Sequence, residues 1–246
     1  MNLTPEIYGI IPARYASTRF EGKPLADILG KPMFWHVYHC SSQCKDIKKI
    51  ILATDDERIF DAANKFSVPV VMTKKEHPSG TDRILEAAEI LKLPLSSVII
   101  NIQGDEPALN PEMLNQLISP FKNEETKVST LARKISKNEA ENPNLVKVVF
   151  SKSGKALYFS RSMIPFYRES EGNNFYGHIG LYAFRMEYLK KFTELGESSL
   201  EKAEKLEQLR LLENDIPITV VITSHISIGV DKPEDLIKVT KILQAR

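Results

Sequence analysis

The feature that most constrains the fold is a regular alternation of short apolar runs and amphipathic segments in the first half of the chain. The apolar runs have the length of buried strands, and they cover residues 7–11, 50–53, 68–72 and 98–102. A loop and a segment with helical periodicity follow each run. Such strand, loop and helix units close with one hand and form a parallel sheet with helices on both faces. We therefore predict an α/β protein with a mostly parallel central sheet flanked by helices.

Several helices of this half have recognisable start signals. Pro32 suits the first turn of a helix over residues 33–44, and Thr54 and Glu57 have the spacing of a capping box. Asn110 and Pro111 are expected to be the N-cap and the first residue of another helix. The half as a whole is predicted to have a Rossmann-like nucleotide-binding fold.

From about Lys127 the alternation gives way to a different pattern. Two apolar segments, 146–150 and 156–160, flank a polar turn and indicate a hairpin instead of a helical crossover. The remaining expected elements are a strand over 178–184, a helix over 204–213, a strand over 216–223, a strand that ends at Asp231, and a last helix that starts at Pro233. We predict a single domain, 1–246, in which a mixed β insertion is grafted on the α/β core.

The composition excludes several classes of function. Lys and Arg number 33 and Asp and Glu number 32, so the formal net charge of +1 offers no general attraction to nucleic acid or to an acidic membrane surface. No apolar run approaches the roughly 18 residues that a membrane span needs, and the N-terminus lacks the order of a signal peptide. We expect a cytoplasmic protein with no nucleic-acid or membrane partner, in which any anion binding is local.

The loop after the first apolar run carries three cations within ten residues, Arg14, Arg19 and Lys23. Ligands bind at the carboxyl ends of strands in open α/β sheets, so this placement indicates a phosphate-binding loop. The alternative is a basic surface loop, which is the more common case for such a loop in an arbitrary protein. A Walker A loop is excluded, because Ser17 stands where its first glycine belongs and Pro24 replaces the Ser or Thr that meets Mg²⁺.

Two aspartates, Asp105 and Asp231, each follow an apolar run. Mg²⁺ takes one or two carboxylates together with phosphate oxygens and water, so the pair suits a nucleotide–metal site. The alternative is that each aspartate only caps a turn. Their position at strand ends, shared with the cationic loop, favours the metal site.

Three other features have two interpretations each. The run 79–83 is either a plain helix N-terminus or a place where a base or ribose approaches backbone amides, with Arg83 reaching a carbonyl or a phosphate. Arg161 is either a strand-end cation or the guanidinium fork for a carboxylate. Glu207 and Arg210 are more typical of a solvated ion-pair face than of a site.

The two cysteines, Cys40 and Cys44, lie one helical turn apart, with His36 one turn earlier. A zinc site here needs further ligands, and no Cys or His pair with suitable spacing offers them. Buried thiols on a helix are the favoured interpretation.

Eight ordered blocks resemble those of the 3-deoxy-manno-octulosonate cytidylyltransferase (CMP-Kdo synthetase) family. They run from the first strand to the last helix and are IPARYASTR (11–19), GKPL (22–25), ATD (53–55), SGTDR (79–83), NIQGDEP (101–107), ALYFSR (156–161), LEQLR (206–210) and VDKPEDL (230–236). The resemblance implies a nucleotidyltransferase fold and a Mg²⁺-dependent cytoplasmic homodimer. It also implies the reaction of CTP with the sugar acid Kdo to give CMP-Kdo and pyrophosphate, for lipopolysaccharide assembly.

The resemblance also implies roles for individual residues. The catalytic set would be Arg14, Lys23, Asp105 and Asp231, and the metal ligands among them Asp105 and Asp231. The nucleotide would be bound by Arg14, Lys23, Ser79, Arg83 and Gln103, in the half 1–126. The sugar would be bound by Gln103, Arg161, His178, Tyr182, Glu207 and Gln208, most of them in the half 127–225, which would also form the dimer.

Some positions depart from the commonest family pattern. Lys232 stands where Thr is frequent, Phe166 where Trp is common, and residues 224–228 where a Gly/Pro-rich approach to Asp231 is expected. The 8-amino analogue of Kdo, or another sugar acid such as a sialic acid, therefore stays open as substrate. A non-catalytic nucleotide-binding protein is less favoured because both aspartates and both loop cations, Arg14 and Lys23, are present. A dinucleotide oxidoreductase is disfavoured because no G-x-G-x-x-G follows the first strand.

Overall fold

The computed structural model describes residues 5–16, 20–169 and 174–245. The chain divides into two compact units. Unit 1 comprises Met1–Asn115 and Ile226–Arg246, and unit 2 comprises Gln116–His225. Among the described residues, no helix combines the length and the apolar character that crossing a membrane requires.

Unit 1 contains a parallel sheet with β1 in its interior. Its strands are β1 (Ile7–Ala13), the short hairpin strands β2 (Asp27–Ile28) and β3 (Lys31–Pro32), then β4 (Lys49–Thr54), β5 (Val70–Met72) and β6 (Val98–Asn101). The order β6-β1-β4-β5 is parallel throughout, and β2 pairs only with β3, antiparallel. Ile10 of β1 stands between Ile51 and Asn101. The apolar runs thus form strands as predicted, of which β1, β4 and β6 are almost entirely buried, whereas β5 lies at the edge of the sheet and is half-buried or exposed.

Four helices accompany these strands: α1 (Met33–Ser41), α2 (Glu57–Lys65), α3 (Gly80–Ile90) and α4 (Pro111–Ile118), in which the division between the units falls. Asn110 caps α4 as expected, since its Oδ1 accepts a hydrogen bond from the backbone N–H of Glu112 at 2.9 Å. Helix α1 is shorter than predicted and ends before Cys44. The predicted Thr54–Glu57 capping box is wrong: Thr54 is still paired in β4, and Asp56 caps α2 instead.

Unit 2 contains a mixed sheet. Its strands are β7 (Val128–Ile135), β8 (Lys147–Phe150), β9 (Ala156–Ser160), β10 (Phe175–Arg185) and β11 (Ile218–Ile222), in the order β11-β7-β10-β8-β9. Among the described residues of this unit, only the β11–β7 pair is parallel, and β8 and β9 form the predicted hairpin. The α/β fold with a mostly parallel sheet and a mixed β part in the second half is confirmed.

The helices of unit 2 are short: α5 (Lys137–Ala140), α6 (Met186–Glu194), α7 (Ser199–Glu204) and α8 (Leu209–Glu213). The predicted single helix over 204–213 is wrong. The chain leaves α7 at Lys205, whose φ of 53° lies in the left-handed region, and starts α8 only at Leu209. A left-handed residue breaks the i→i−4 hydrogen-bond ladder, so two helices form.

The last helix, α9 (Asp235–Gln244), returns the chain to unit 1. The predicted strand ending at Asp231 is wrong, because residues 226–231 belong to no helix or strand. Val230 instead packs, fully buried, in an apolar cluster with Ile28, Met33 and Val239. Burial of a side chain of this kind contributes about 1.5–3 kcal/mol and fixes the segment that precedes Asp231.

Candidate active site

A pocket opens in unit 1 where β1 and β6 end and α3 begins. Its lining includes six residues that the sequence analysis assigned to the site: Arg14, Lys23, Ser79, Arg83, Gln103 and Asp105. The carboxyl ends of parallel strands share one edge of the sheet, which is why loops so far apart in sequence meet here. Of the three predicted loop cations, Arg14 is exposed at this edge, and Arg19 lies outside the described residues.

The loop after β6 lies very close to the end of β1. A methyl group on Gly104 would stand 2.6 Å from the carbonyl oxygen of Pro12, closer than real Cβ atoms come to any other atom. Only glycine fits such a backbone approach. This contact therefore fixes the position of the neighbouring Asp105 in the pocket.

Lys23 links the two loops that carry the predicted aspartates. Its Nζ donates to Asp105 Oδ2 at 2.9 Å and to the carbonyl oxygen of Val230 at 2.8 Å. Its side chain is 17% exposed and that of Asp105 34%, so both groups remain open to the pocket. The ammonium thus occupies a place surrounded by oxygen atoms, with one face available to a phosphate.

Asp231 lies beside Asp105 because the backbones of the two loops are bonded. The N–H of Val230 donates to the carbonyl oxygen of Asp105 at 2.8 Å. One residue further, the N–H of Asp231 donates to Asp235 Oδ2 at 3.1 Å, and this bond and a similar one from Lys232 lower the pKa of Asp235. The first turn of α9 therefore orients the backbone at Asp231.

Of the two predicted metal ligands, Asp105 lines the pocket, whereas Asp231 is not among its described lining residues. In the described part of the chain, no group of three or more His, Cys, Asp or Glu side chains is arranged to hold a metal ion. Mg²⁺ in nucleotide sites needs only one or two carboxylates, because phosphate oxygens and water complete its shell. The carboxylate of Asp105, with that of Asp231 on the adjoining loop, suits a hard divalent cation, so the residues present fit Mg²⁺.

Glu106 is an acidic residue of the site that sequence reasoning missed. Burial raises the pKa of its carboxyl to about 7, and the neighbouring charge of Asp105 acts in the same direction, while a hydrogen bond from Ser227 opposes the shift. Ser227 Oγ donates to Glu106 Oε2 at 2.5 Å. The sequence signal was available, since Glu106 directly follows Asp105 in the block 101–107.

Arg83 forms the floor of the pocket and is almost completely buried. Its NH2 donates to Asp55 Oδ2 at 2.7 Å, and its NH1 donates to Thr73 Oγ1 at 2.6 Å and to the carbonyl oxygen of Lys74 at 3.2 Å. These bonds tie α3 to the ends of β4 and β5. The guanidinium of Arg83 therefore has a structural role that does not depend on a ligand.

Ser79 is the N-cap of α3. Its Oγ accepts hydrogen bonds from the backbone N–H groups of Thr81 and Asp82, at 3.1 and 3.2 Å, and donates to Asp82 Oδ2 at 2.6 Å. The positive end of the α3 dipole therefore points toward the pocket edge that Ser79 and Gly80 line. A helix N-terminus at this place favours an anionic or oxygen-rich ligand.

Unit 2 holds three residues assigned to the sugar, of which His178 and Tyr182 are in ring contact, with centroids 5.4 Å apart. The Nε2 of Gln208 is buried and has no hydrogen-bond partner among the described residues, and the buried hydroxyl of Tyr182 has Thr130 beside it. His178 is bonded through Nε2 to Thr130 Oγ1 at 3.0 Å, and burial lowers the pKa of its imidazole to about 3. Buried polar groups without partners are costly, and a bound hydroxylated ligand would satisfy them.

Arg161 is engaged with the backbone in this structure. Its Nε donates to the carbonyl oxygen of Glu204 at 2.7 Å, and its NH1 and NH2 donate to the carbonyls of Pro143 and Lys205 at 3.3 and 3.4 Å. Carbonyl groups at the C-terminal end of α7 lack intrahelical partners, so a guanidinium satisfies them well. Arg161, which was predicted to bind a carboxylate, therefore also stabilises the C-terminal end of α7.

Glu207 and Arg210 do not form the predicted solvated face. Arg210 makes a bidentate pair with Glu201, with distances of 2.8 Å from Nε to Oε2 and 2.6 Å from NH2 to Oε1. Both side chains of this pair are largely buried, whereas Glu207 is exposed. The interpretation of Arg210 as part of a surface stripe is therefore wrong, because tertiary packing gives it a buried partner.

The two thiols are buried, as favoured above. Cys40 Sγ donates to the carbonyl oxygen of Pro107 at 3.4 Å, and Cys44 Sγ donates to Asn115 Oδ1 at 2.8 Å. His36 is bonded to the carbonyl oxygen of Ile28, and burial lowers the pKa of its imidazole. Each of the three side chains thus has a hydrogen-bond partner within the protein.

Comparison with known proteins agrees with the architecture of this pocket. A family model described as cytidylyltransferase matches residues 8–220. A 3-deoxy-manno-octulosonate cytidylyltransferase of Nitratidesulfovibrio vulgaris is 57% identical over 241 residues, covering 96% of each chain. One of Lawsonia intracellularis is 53% identical over 245 residues, covering 99% of this chain and 96% of that protein.

A solved structure extends the similarity to three dimensions. The structure of CMP:2-keto-3-deoxy-manno-octonic acid synthetase complexed with CTP superimposes with a TM-score of 0.93 at 40% sequence identity, covering 98% of this chain and 99% of that one. The matches span nearly the whole length of both partners, including all the loops of the pocket. The chain therefore belongs to the cytidylyltransferase family and is a nucleotidyltransferase.

Proposed function

We propose that the enzyme joins CTP and Kdo to give CMP-Kdo and pyrophosphate, an activation step for lipopolysaccharide biosynthesis. The observation that carries this proposal is the pocket of unit 1, whose cations, carboxylate and helix N-terminus suit a nucleoside triphosphate with a metal ion. The similar synthetase of known structure was solved with CTP bound, and the close relatives bear the name of this activity.

The reaction needs positioning and charge neutralisation more than a protein nucleophile. The anomeric hydroxyl oxygen of Kdo forms a bond to the α-phosphorus of CTP and gives its proton to water, while the bond from that phosphorus to the bridging oxygen breaks and pyrophosphate leaves. Charge grows on the phosphate oxygens during this step. Arg14 and Lys23 are the cations that we assign to neutralise it, because both line the pocket.

Mg²⁺ is the proposed cofactor, held by Asp105 and Asp231. When bound, the ion neutralises phosphate charge and fixes the triphosphate. Lys23 bonds to Asp105 and to the residue before Asp231. Its ammonium therefore lies next to both proposed metal ligands, where it can contact the bound phosphates. We assign the cytidine to Ser79, Arg83 and Gln103, which line the same pocket.

We assign the sugar to Gln103 and to five residues of unit 2, Arg161, His178, Tyr182, Glu207 and Gln208. The support is the buried Nε2 of Gln208, which has no partner among the described residues, together with the buried hydroxyl of Tyr182, whose neighbour Thr130 is also bonded to His178. A polyhydroxylated sugar acid offers both donors and acceptors to such groups. The neutral state of His178 fits this role, because a neutral imidazole both donates and accepts.

A panel of substrates tests the reaction. Pyrophosphate release is measured with CTP, ATP, GTP and UTP, each combined with Kdo, 8-amino-Kdo and a sialic acid. We expect release with CTP and Kdo and little with the other nucleotides. Preference for 8-amino-Kdo or a sialic acid would change the sugar substrate that we assign but not the type of reaction. No pyrophosphate release with any sugar acid would refute the proposed function.

Charge-removing variants test the metal ligands. We expect Asp105→Asn and Asp231→Asn to lose most turnover, by a factor of about 100 or more, while the far-ultraviolet circular dichroism stays that of the wild type. Asp61→Asn is the matched control, since Asp61 is exposed on α2. Near-normal CMP-Kdo formation by either site variant would contradict the metal assignment.

The homodimer and the cytoplasmic location remain predictions. Size-exclusion chromatography with light scattering tests the first, and a mass of twice 27.9 kDa is expected. Fractionation of cells that express the chain tests the second.

A further inference from the structure

We propose that Ser227 and Glu106 form a positioning pair that holds the segment Ile226–Asp231 against the loop Gln103–Pro107, and that this pair sets the place of Asp231 relative to Asp105. We refer to these residues as the terminal segment and the acidic loop. The inference deepens the proposed function, because it rests on the assignment of the two aspartates to one metal ion.

Besides the bond from the Asp231 N–H to Asp235, three described hydrogen bonds join the terminal segment to the acidic loop and to Lys23. Ser227 Oγ donates to Glu106 Oε2 at 2.5 Å, the N–H of Val230 donates to the carbonyl oxygen of Asp105 at 2.8 Å, and Lys23 Nζ donates to the carbonyl oxygen of Val230 at 2.8 Å. Two of the three end on consecutive residues of the acidic loop. The segment is therefore attached to the same short piece of chain that carries the first proposed metal ligand.

The other contacts described for the terminal segment lie toward its C-terminal end. The segment belongs to no helix or strand, Ile226 is 63% exposed, and a methyl group on Gly229 would meet nothing within 4 Å. Val230 is buried in the apolar cluster, and Ile228 packs against the same cluster. Ser227 is the anchor nearer the N-terminal end, so without its hydroxyl the segment would be held by contacts at residue 228 and beyond.

The pair also gives a physical meaning to the departure of residues 224–228 from the expected Gly/Pro-rich pattern. Proline restricts a backbone through its ring, whereas serine restricts one through a hydrogen bond that a partner must supply. Glu106 supplies that partner here. In this chain, the hydrogen bond from Ser227 to Glu106 therefore takes the place of a rigid Gly/Pro-rich backbone in positioning Asp231.

The test compares four variants. Ser227→Ala removes the donor and Ser227→Thr retains it. Glu106→Ala removes the acceptor, and the double variant Ser227→Ala/Glu106→Ala closes a mutant cycle. Ser224→Ala, at an exposed position in the preceding residues, is the matched control for the loss of one serine hydroxyl.

Two readouts separate a positioning role from a general loss of stability. The first is the hydrogen-exchange rate of the Val230 amide, which reports whether the terminal segment stays attached to the acidic loop. The second is the affinity for Mn²⁺, measured by electron paramagnetic resonance in the presence of CTP without sugar, so that no turnover occurs.

For Ser227→Ala we expect both a faster Val230 exchange and a weaker Mn²⁺ affinity, each by about tenfold, as loss of a hydrogen bond to a carboxyl group implies. Ser227→Thr and Ser224→Ala should stay within about threefold of the wild type. In the Glu106→Ala background the serine change should have little further effect, since two groups that act through one bond are not additive.

Unchanged Val230 exchange in Ser227→Ala would overturn the inference, whatever happens to Mn²⁺ affinity, because the segment would then not depend on the bond. Faster exchange with unchanged Mn²⁺ affinity would overturn it too, because Asp231 would then be placed by other contacts. Failure of the wild type to release pyrophosphate with any sugar acid would refute the proposed function separately, and the exchange measurement would still test the attachment.

Discussion

Replacing Gly104 by alanine is the most direct test of how the pocket is held together. The added methyl group would lie 2.6 Å from the carbonyl oxygen of Pro12, and contacts of real Cβ atoms begin only at about 3.0 Å. Because both sides of the contact are backbone, the loop after β6 must move away from β1 by about 0.4 Å or more. Asp105 is the next residue and must move with it.

The expected cost follows from this displacement. Overpacking of this kind destabilises by about 1–3 kcal/mol. The movement also lengthens the bond from Lys23 Nζ to Asp105 Oδ2, which is 2.9 Å in the intact site. Since a displacement of about 1 Å in an active site costs up to about 100-fold in rate, we expect kcat/KM to fall by about 10- to 100-fold.

The assay is pyrophosphate release with CTP and Kdo, accompanied by urea unfolding of the same preparations. Gly196→Ala is the control, because a methyl group at Gly196 meets nothing within 4 Å and that residue lies between α6 and α7. The argument that this contact positions Asp105 would be refuted by a Gly104→Ala variant that keeps its kcat/KM within about twofold of the wild type and its free energy of unfolding within about 0.5 kcal/mol. The second limit is roughly the scatter of neutral substitutions.

Three further predictions concern charge. Arg83→Met removes the partner that lies 2.7 Å from the largely buried carboxylate of Asp55, so it should lower the free energy of unfolding by about 3 kcal/mol. A loss below about 1 kcal/mol, the value typical of a surface ion pair, would contradict this. Lys23→Met should raise the Kd for CTP by about tenfold, measured by calorimetry without sugar, and an unchanged Kd would show that the ammonium does not meet the phosphates. The pKa of His178, about 3, lies below the ordinary 6.5, so the unfolded chain binds the proton more tightly. The free energy of unfolding should therefore fall on acidification below pH 6.5, by up to about 1.4 kcal/mol per unit. His178→Asn should lack this part of the slope in urea titrations at several pH values, and identical slopes would refute the burial argument.

Much of the fold follows from local properties of the sequence. The apolar runs predict β1, β4 and β6 because a strand buried on both faces has a continuous apolar pattern, and a run of the same kind predicts the edge strand β5. The loop of Arg14 and Lys23 was placed at the pocket by the general rule that ligands meet the carboxyl ends of parallel strands, and the structure has it there. Periodicity and position along the chain are properties that the sequence itself carries.

The tertiary structure alone decided which groups become partners. Lys23 bonds to residues 82 and 207 positions away, Arg83 to one 28 positions away, and Ser227 to one 121 positions away. No local pattern encodes such separations, because they depend on which strand ends share an edge of the sheet and which side chains are buried together. For the same reason the split at Lys205, the engagement of Arg161 with carbonyl groups and the extended path before Asp231 became visible only in the folded chain.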